Sequence, residues 1–266
     1  MKIGIVGCGG RMGRMLSAGV LATEGLELAG GSERPGSEAI GKDVAVLAGG
    51  EPSGLLVTDD AAAVFAAADL VIDFTLPDAT AKHVEMAAEH GTAMIIGTTG
   101  LPADLQPAID ALARKVPVVQ AANMSVGINL LLGLVEQVAK TLGDDFDIEI
   151  IEMHHRHKVD APSGTALALG QAAADGRGVD LDAVSQRVRD GHTGERKRGD
   201  IGFATLRGGD VAGDHTVLFA GDAERIELSH KAGSRAIFVR GALRAALWID
   251  GKAPGLYSMR DVLGLS

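Results

Sequence analysis

Residues 1–23 read MKIGIVGCGGRMGRMLSAGVLAT. Ile3–Val6 is a short apolar run of strand composition. Gly7-Cys8-Gly9-Gly10-Arg11-Met12-Gly13 is a glycine-rich turn, and Arg14–Thr23 has helical composition. A strand that runs through such a turn into a helix is the opening of a phosphate-binding βαβ unit. Glycines keep the turn tight and let backbone N–H groups approach a pyrophosphate at the positive end of the helix. The spacing departs from G-x-G-x-x-G and fits GxxGxxG through Gly7, Gly10 and Gly13. Glu33 lies 20 residues after Gly13, where an acid for the ribose hydroxyls is expected. Arg34 follows it directly. A carboxylate suits the free diol of NADH and a guanidinium the 2′-phosphate of NADPH, so the pair predicts use of both.

Outward from this stretch the same alternation continues. Leu26–Ala29, Leu70–Phe74, Ala93–Ile96 and Val116–Gln120 read as buried strands, and Ala61–Ala67, Ala79–His90 and Leu105–Lys115 as helices. Strands and helices alternating at this spacing predict an α/β, doubly wound parallel sheet of Rossmann type. Phe74-Thr75-Leu76-Pro77 and Gly97-Thr98-Thr99-Gly100 follow two of these strands, at the sheet edge where such folds bind ligands. The plainer alternative is that both are ordinary polar turns. Ser125 is a good N-cap for a helix over Val126–Leu142, with an apolar face of Ile128, Leu131, Leu132, Val135 and Val138. Beyond it the pattern changes. Asp147–Met153, Phe203–Arg207, Thr216–Ala220 and Arg225–Ser229 predict a second sheet with long polar connections, and Asp175–Asp200 reads as a helix end plus a mobile loop. A last helix spans about Arg235–Ile249 and stops at Gly251 and Pro254. The boundary therefore falls near residue 125, with the second unit running to about 235.

The 266 residues are 46% hydrophobic but only 3% aromatic, so the cores must be built from aliphatic side chains. A net charge of −10 argues against a general nucleic-acid or anionic-membrane binder. An anionic ligand then needs a local basic pocket. Cys8 is the only cysteine, which excludes an intrachain disulfide and a cysteine-based zinc site. The longest uncharged run, between Lys115 and Glu136, is broken by Pro117, Gln120, Asn123, Asn129 and two glycines, and so reads as strand, loop and helix rather than a membrane span. With no leader pattern at the start, the expected location is the cytoplasm.

The basic pocket is offered by residues 152–165, EMHHRHKVDAPSGT. His154 and Lys158 are four apart and share a face in either regular conformation, which pairs a proton donor active near neutral pH with a fixed cation. Pro162-Ser163-Gly164-Thr165 then opens an Ala-rich helix whose N-terminus suits an anion. Two alternatives stand beside this reading. Three histidines suggest a metal, but Arg156 and Lys158 among them would repel a divalent cation, so no metal is expected. A charge run is also most often a solvated surface, a reading weakened by the helix start that follows and the apolar Ile148–Ile151 before it.

The strings GCGGRMGR, DFTLP, GTTG, AANMSVG, HHRHKVDAPSGTA, RGGDVAGDHTV and SHKAGSR together resemble the dihydrodipicolinate reductase family, in the family's order and through nearly the whole chain. The resemblance implies NAD(P)H reduction of a small cyclic dicarboxylate in lysine and diaminopimelate biosynthesis. It also implies a Rossmann domain of residues 1–125 completed by 236–266, and an α+β domain of residues 126–235 with a mixed open sheet that builds a homotetramer. By position, His154 resembles the family's proton donor with Lys158 its partner, and His155, Lys158, Ser163, Gly164 and Thr165 resemble its substrate-binding set. Gly7, Cys8, Gly9, Gly10, Arg11, Met12, Glu33, Arg34, Gly97, Thr98, Thr99, Ala122, Asn123, Met124 and Ser125 resemble its coenzyme contacts, to which the strand-end reading adds Phe74 and Thr75. Leu76 stands where some relatives carry a basic residue and adds no charge contact. Two rival readings are another dehydrogenase of the same architecture, against which the HHRHK segment speaks, and a regulatory NAD(P)H binder, which needs no His/Lys pair.

Overall fold

The computed structural model describes residues 1–265, in two compact units: Met1–Val126 with the described residues from Ala236 on, and Gly127–Arg235. In the first, β1 (Lys2–Val6), β2 (Glu27–Ser32), β3 (Leu70–Asp73), β4 (Ala93–Ile96), β5 (Pro117–Gln120) and β11 (Gly255–Tyr257) form a parallel sheet in the order β11-β5-β4-β3-β1-β2. Alternation along each strand divides its side chains between two layers. Ile3, Ile5, Leu70, Ile72, Ile95 and Val119 join one core, beneath α1 (Arg11–Ala22), the short α2 (Val44–Leu47), α9 (Ala236–Ile249) and α10 (Met259–Leu263). Val6, Val71, Met94, Ile96 and Val118 join the other, beneath α3 (Ala61–Ala67), α4 (Pro77–His90) and α5 (Gln106–Ala113). Burial on both faces is why these strands read as continuous apolar runs.

Two features differ from expectation. β2 continues through Gly30 and Gly31 to Ser32, paired with Gly4, Ile5 and Val6 of β1, and at Gly31 a Cβ would fall 2.7 Å from the Cys8 sulfur. The three-residue β11 adds an edge strand that no periodic signal marks.

The second unit takes all but the first residue of α6 (Val126–Leu142), followed by β6 (Asp147–His154), α7 (Gly164–Arg177), α8 (Leu181–Val184), β7 (Ser185–Gln186), β8 (Ile201–Arg207), β9 (Asp214–Ala220) and β10 (Arg225–Lys231). The sheet order is β10-β9-β6-β8-β7. β6 is antiparallel to β9 and parallel to β8, so the sheet is mixed. Leu131, Val135 and Ala139 of α6 pack with Ala166, Leu169 and Ala173 of α7 on Ile148, Ile150, Phe203, Val217 and Phe219. Together with the 3-10 turn that follows it, α6 gives a helical stretch, Val126–Asp145, long and apolar enough by composition to span a bilayer, but Leu131, Val135 and Ala139 lie in the unit's core.

The expected mobile loop at 175–200 is instead anchored. After α8 and β7, Arg196 donates to the Asp147 and Glu149 carboxylates and to the carbonyls of Ile148 and Asp200, while Arg189 forms a fork on Glu149. Sequence composition shows five arginines among glycines and acids; it does not show that β6 supplies the matching carboxylates.

Candidate active site

Each strand of the first sheet except the edge strand β11 delivers a candidate coenzyme segment at its carboxyl end: Gly7–Met12 after β1, Glu33 and Arg34 after β2, Phe74 and Thr75 after β3, Gly97–Thr99 after β4, and Ala122–Ser125 after β5. The strand order places β1 between β2 and β3, the point where such sheets open a crevice. In the turn, the N–H groups of Gly7 and Cys8 donate to the Ser32 carbonyl, that of Gly9 to the Glu33 carboxylate at 3.0 Å, and that of Gly10 to the Gly7 carbonyl. The open N–H end therefore lies at Arg11 and Met12, the first residues of α1. Gly13 has no alternative: a Cβ there would fall 2.1 Å from the Gly7 carbonyl oxygen. The Cys8 thiol is buried, and burial pushes its pKa up to about 12, so this position offers backbone and no reactive sulfur. These features suit a dinucleotide pyrophosphate.

A buried network ties the middle segments together. Asp73, with no solvent exposure, accepts from the Thr75 N–H and hydroxyl, from the Thr98 hydroxyl at 3.2 Å, and from the His83 ring at 2.8 Å. The Thr75 N–H also donates to the Thr98 hydroxyl, and the Phe74 ring lies against Gly97. Burial would raise the Asp73 pKa, but the His83 bond and charge together with the Thr75 bonds outweigh it and hold the carboxyl below its usual range. Sequence reading named Thr75 and Thr98 but not Asp73 or His83, which meet only when α4 folds back on the sheet.

In the second unit the strand period builds the site. Ile148, Ile150, Glu152 and His154 occupy successive inward positions of β6, so an apolar stripe ends in two polar groups, 1% and 8% exposed. Glu152 Oε2 lies 2.5 Å from His154 Nδ1; an ionised carboxylate only accepts, so Nδ1 carries the proton and Nε2 is left to react. Register brings Arg207 of β8 opposite His154 and His215 of β9 opposite Glu152. Arg207 grips Glu152 with a fork of 2.9 and 3.0 Å, and the Ser163 N–H donates to Glu152 Oε1 at 3.0 Å. Burial would raise Glu152, but Arg207, His154 and Ser163 hold it below the usual carboxylate range.

Burial lowers the His154 pKa, against the Glu152 bond and charge; Lys158 and Arg207 lower it further. The His215 ring meets His154 edge-on at 5.0 Å, and burial lowers its pKa to about 4, so it is neutral at physiological pH. Its Nε2 lies 3.1 Å from the Ser163 hydroxyl, while its Nδ1 is buried without a partner among the described residues. A missing acceptor bond costs less than a buried idle donor, so Nε2 carries the hydrogen and donates to Ser163. That hydroxyl already accepts the Ala166 N–H as the N-cap of α7, so its own proton is left for a ligand. Gly213 (φ 151°) allows the chain to pass close to the donor ring, since a Cβ there would sit 3.0 Å from His154 Nε2.

The segment after His154 is neither helix nor strand, so the shared-face expectation for His154 and Lys158 does not apply. The Lys158 N–H closes a turn onto the His155 carbonyl, and its ammonium pairs with Asp160 at 2.9 Å. The chain then passes through a cis Ala161–Pro162 bond to Ser163, and α7 starts at Gly164 and Thr165, as expected. His155 Nδ1 is buried with no partner among the described residues.

Family models described as the N-terminus and C-terminus of dihydrodipicolinate reductase match residues 1–124 and 127–263. Two curated relatives, from Rhodopseudomonas palustris and Afipia carboxidovorans, are named 4-hydroxy-tetrahydrodipicolinate reductase. The first is 56% identical over 266 residues, 100% of this chain and 98% of its own length; the second is 57% identical over 265, 100% and 97%. A solved dipicolinate-bound dihydrodipicolinate reductase from Paenisporosarcina shares the fold at a TM-score of 0.71 and 24% identity, covering 97% of both chains. With both family models matched from residue 1 to 263 and such relatives aligned end to end, the chain belongs to the dihydrodipicolinate reductase family.

Proposed function

We propose that this chain catalyses the NAD(P)H-dependent reduction of 4-hydroxy-tetrahydrodipicolinate to tetrahydrodipicolinate. As a member of its family it uses a nicotinamide coenzyme. The observation that carries the reading is the end of β6, where a histidine has its Nδ1 tied to a buried carboxylate beside a helix start capped by Ser163. A proton donor next to an anion-binding helix end is what reduction of a conjugated cyclic dicarboxylate requires.

Loss of water from the 4-hydroxy compound gives a conjugated dihydropyridine. A nicotinamide coenzyme held by the segments of the first unit would supply the hydride that ring carbon C4 takes up. Negative charge then grows on the adjacent carbon and the conjugated imine–carboxylate system. His154 protonates that carbon through Nε2, and the neutral ring keeps its Nδ1 proton on Glu152. The Ser163 hydroxyl and the Gly164–Thr165 turn of α7 hold a carboxylate, Lys158 turns from Asp160 to the substrate, and His155 supplies a further polar contact. The incoming dianion raises the proton affinity of His154 and so offsets the burial that lowers it.

On the coenzyme side, Arg11 and Met12 would take the pyrophosphate, Glu33 the ribose diol, Arg34 a 2′-phosphate, and the segments 74–75, 97–99 and 122–125 the nicotinamide half. Both NADH and NADPH serve. Glu33→Ala should raise the KM for NADH more than for NADPH, and Arg34→Ala the reverse; an unchanged ratio in both variants places the ribose elsewhere.

The activity is tested by following NADPH oxidation while a synthase forms the substrate in place from pyruvate and aspartate semialdehyde. No oxidation above the coenzyme-only rate refutes the reading. We infer a cytoplasmic homotetramer; the half-buried apolar side chains Ile151, Met153 and Leu218 and the exposed Leu206, on the sheet face away from α6 and α7, support the assembly.

A further inference from the structure

Glu152 is almost wholly buried, and all four of its acceptor positions are filled. Oε1 takes the Ser163 N–H at 3.0 Å and Arg207 Nη2 at 3.0 Å; Oε2 takes His154 Nδ1 at 2.5 Å and Arg207 Nη1 at 2.9 Å. The four donors come from three places: the end of β6, the end of β8 and the cap of α7. Arg207 is itself tied to the Asp160 and Leu206 carbonyls, which fixes the fork in the 155–163 turn. A structural ion pair needs only the arginine. Here one oxygen of the pair also holds the proton donor, and the other holds the helix start that faces the carboxylate.

We propose that Glu152 is the positioning residue of this site: a single carboxylate, gripped by Arg207, sets the ring orientation and tautomer of His154 and at the same time fixes the Ser163 cap of α7 relative to it. This rests on the reading of His154 as proton donor. Neither group can then shift without the other, and the distance between donor and bound carboxylate is set by one side chain. The groups facing His154 are Glu152 on its own strand, Arg207 on β8, His215 on β9 and Lys158 in the following turn. Glu152 is the only anion among them, and it alone favours the protonated ring.

Glu152→Gln keeps the volume but cannot satisfy the four donors. One Gln oxygen accepts two of them, and its NH₂ is turned against the other two. Turnover should fall about 10²–10⁴-fold, as when a histidine loses its orienting carboxylate. The dissociation constant for NADPH, read by fluorescence, should not change, since its segments lie in the other unit. With the anion gone, the remaining positive neighbours lower the ring's proton affinity. The alkaline limb of kcat/KM should therefore move about 1–3 units to lower pH. A merely structural role would lower the active fraction and leave that limb where it is.

A second measurement needs no variant. In the unmodified protein, 15N NMR of the imidazole nitrogens, assigned by comparison with His154→Gln, should show Nε2 losing its proton as pH rises while Nδ1 keeps its own. A neutral ring protonated at Nε2 overturns the proposal, and so does a folded Glu152→Gln protein with an unmoved limb. Full turnover in His154→Gln would instead sink the proton-donor assignment, with the NMR tautomer still reporting on Glu152.

Discussion

His154→Gln separates proton transfer from binding. It should lower kcat about 10²–10⁴-fold with coenzyme affinity kept, the usual contribution of a positioned acid. An equal loss in His155→Gln with none in His154→Gln would assign the wrong ring. Because burial lowers the His154 pKa, the protonated form is lost at lower pH than for an exposed imidazole, so kcat/KM should begin to fall below the ordinary histidine range. The neighbouring His215 gives the opposite experiment, on stability. Its pKa is about 4 in the folded protein against an ordinary 6.5, so the unfolded chain binds the proton first. Stability is full above about pH 6.5 and falls as pH drops toward 4, by about 3 kcal/mol in the limit. His215→Phe should flatten this part of the denaturation-midpoint profile; an unchanged slope would show that other groups carry it.

Among the elements, β3, β4 and α4 are joined by one carboxylate. Asp73→Ala leaves the buried Thr98 hydroxyl and His83 ring, and the half-buried Thr75 N–H and hydroxyl, each one acceptor short, which should cost about 1–3 kcal/mol by denaturant midpoint. It should also weaken coenzyme binding, because the segments after β3 and β4 lose their common anchor. Since Asp73 is held below its usual range, its contribution is present above about pH 4 and is lost as acid titrates the folded carboxyl. If Asp73→Ala binds NADPH as tightly as the parent, the network is structural and does not shape the coenzyme site.

For the whole molecule, the second sheet covers one face with α6 and α7 and leaves Ile151, Met153, Leu206 and Leu218 on the other. Ile151→Lys with Leu206→Lys should reduce the proposed tetramer to smaller species by light scattering, with far-UV circular dichroism unchanged. A parent protein that is monomeric at micromolar concentration refutes the tetramer outright. The architecture itself was legible early. The apolar strands, the turn through Gly7, Gly10 and Gly13, and the Glu33-Arg34 pair are local signals, because strand burial, turn geometry and helix capping are decided over a few neighbouring residues. Glu152 lay within the quoted 152–165 segment and in the expected Asp147–Met153 strand, where period-2 spacing puts it on the His154 side; it was not singled out as the partner of that ring. Arg207 and His215 stand more than 50 residues from the side chains they touch, at Glu152 and Ser163. Only the pairing of β6 with β8 and β9 decides that they meet there, just as the return of α4 decides that His83 meets Asp73. Partners so distant in the chain leave no periodic trace, because the strand register that joins them comes from packing the whole sheet.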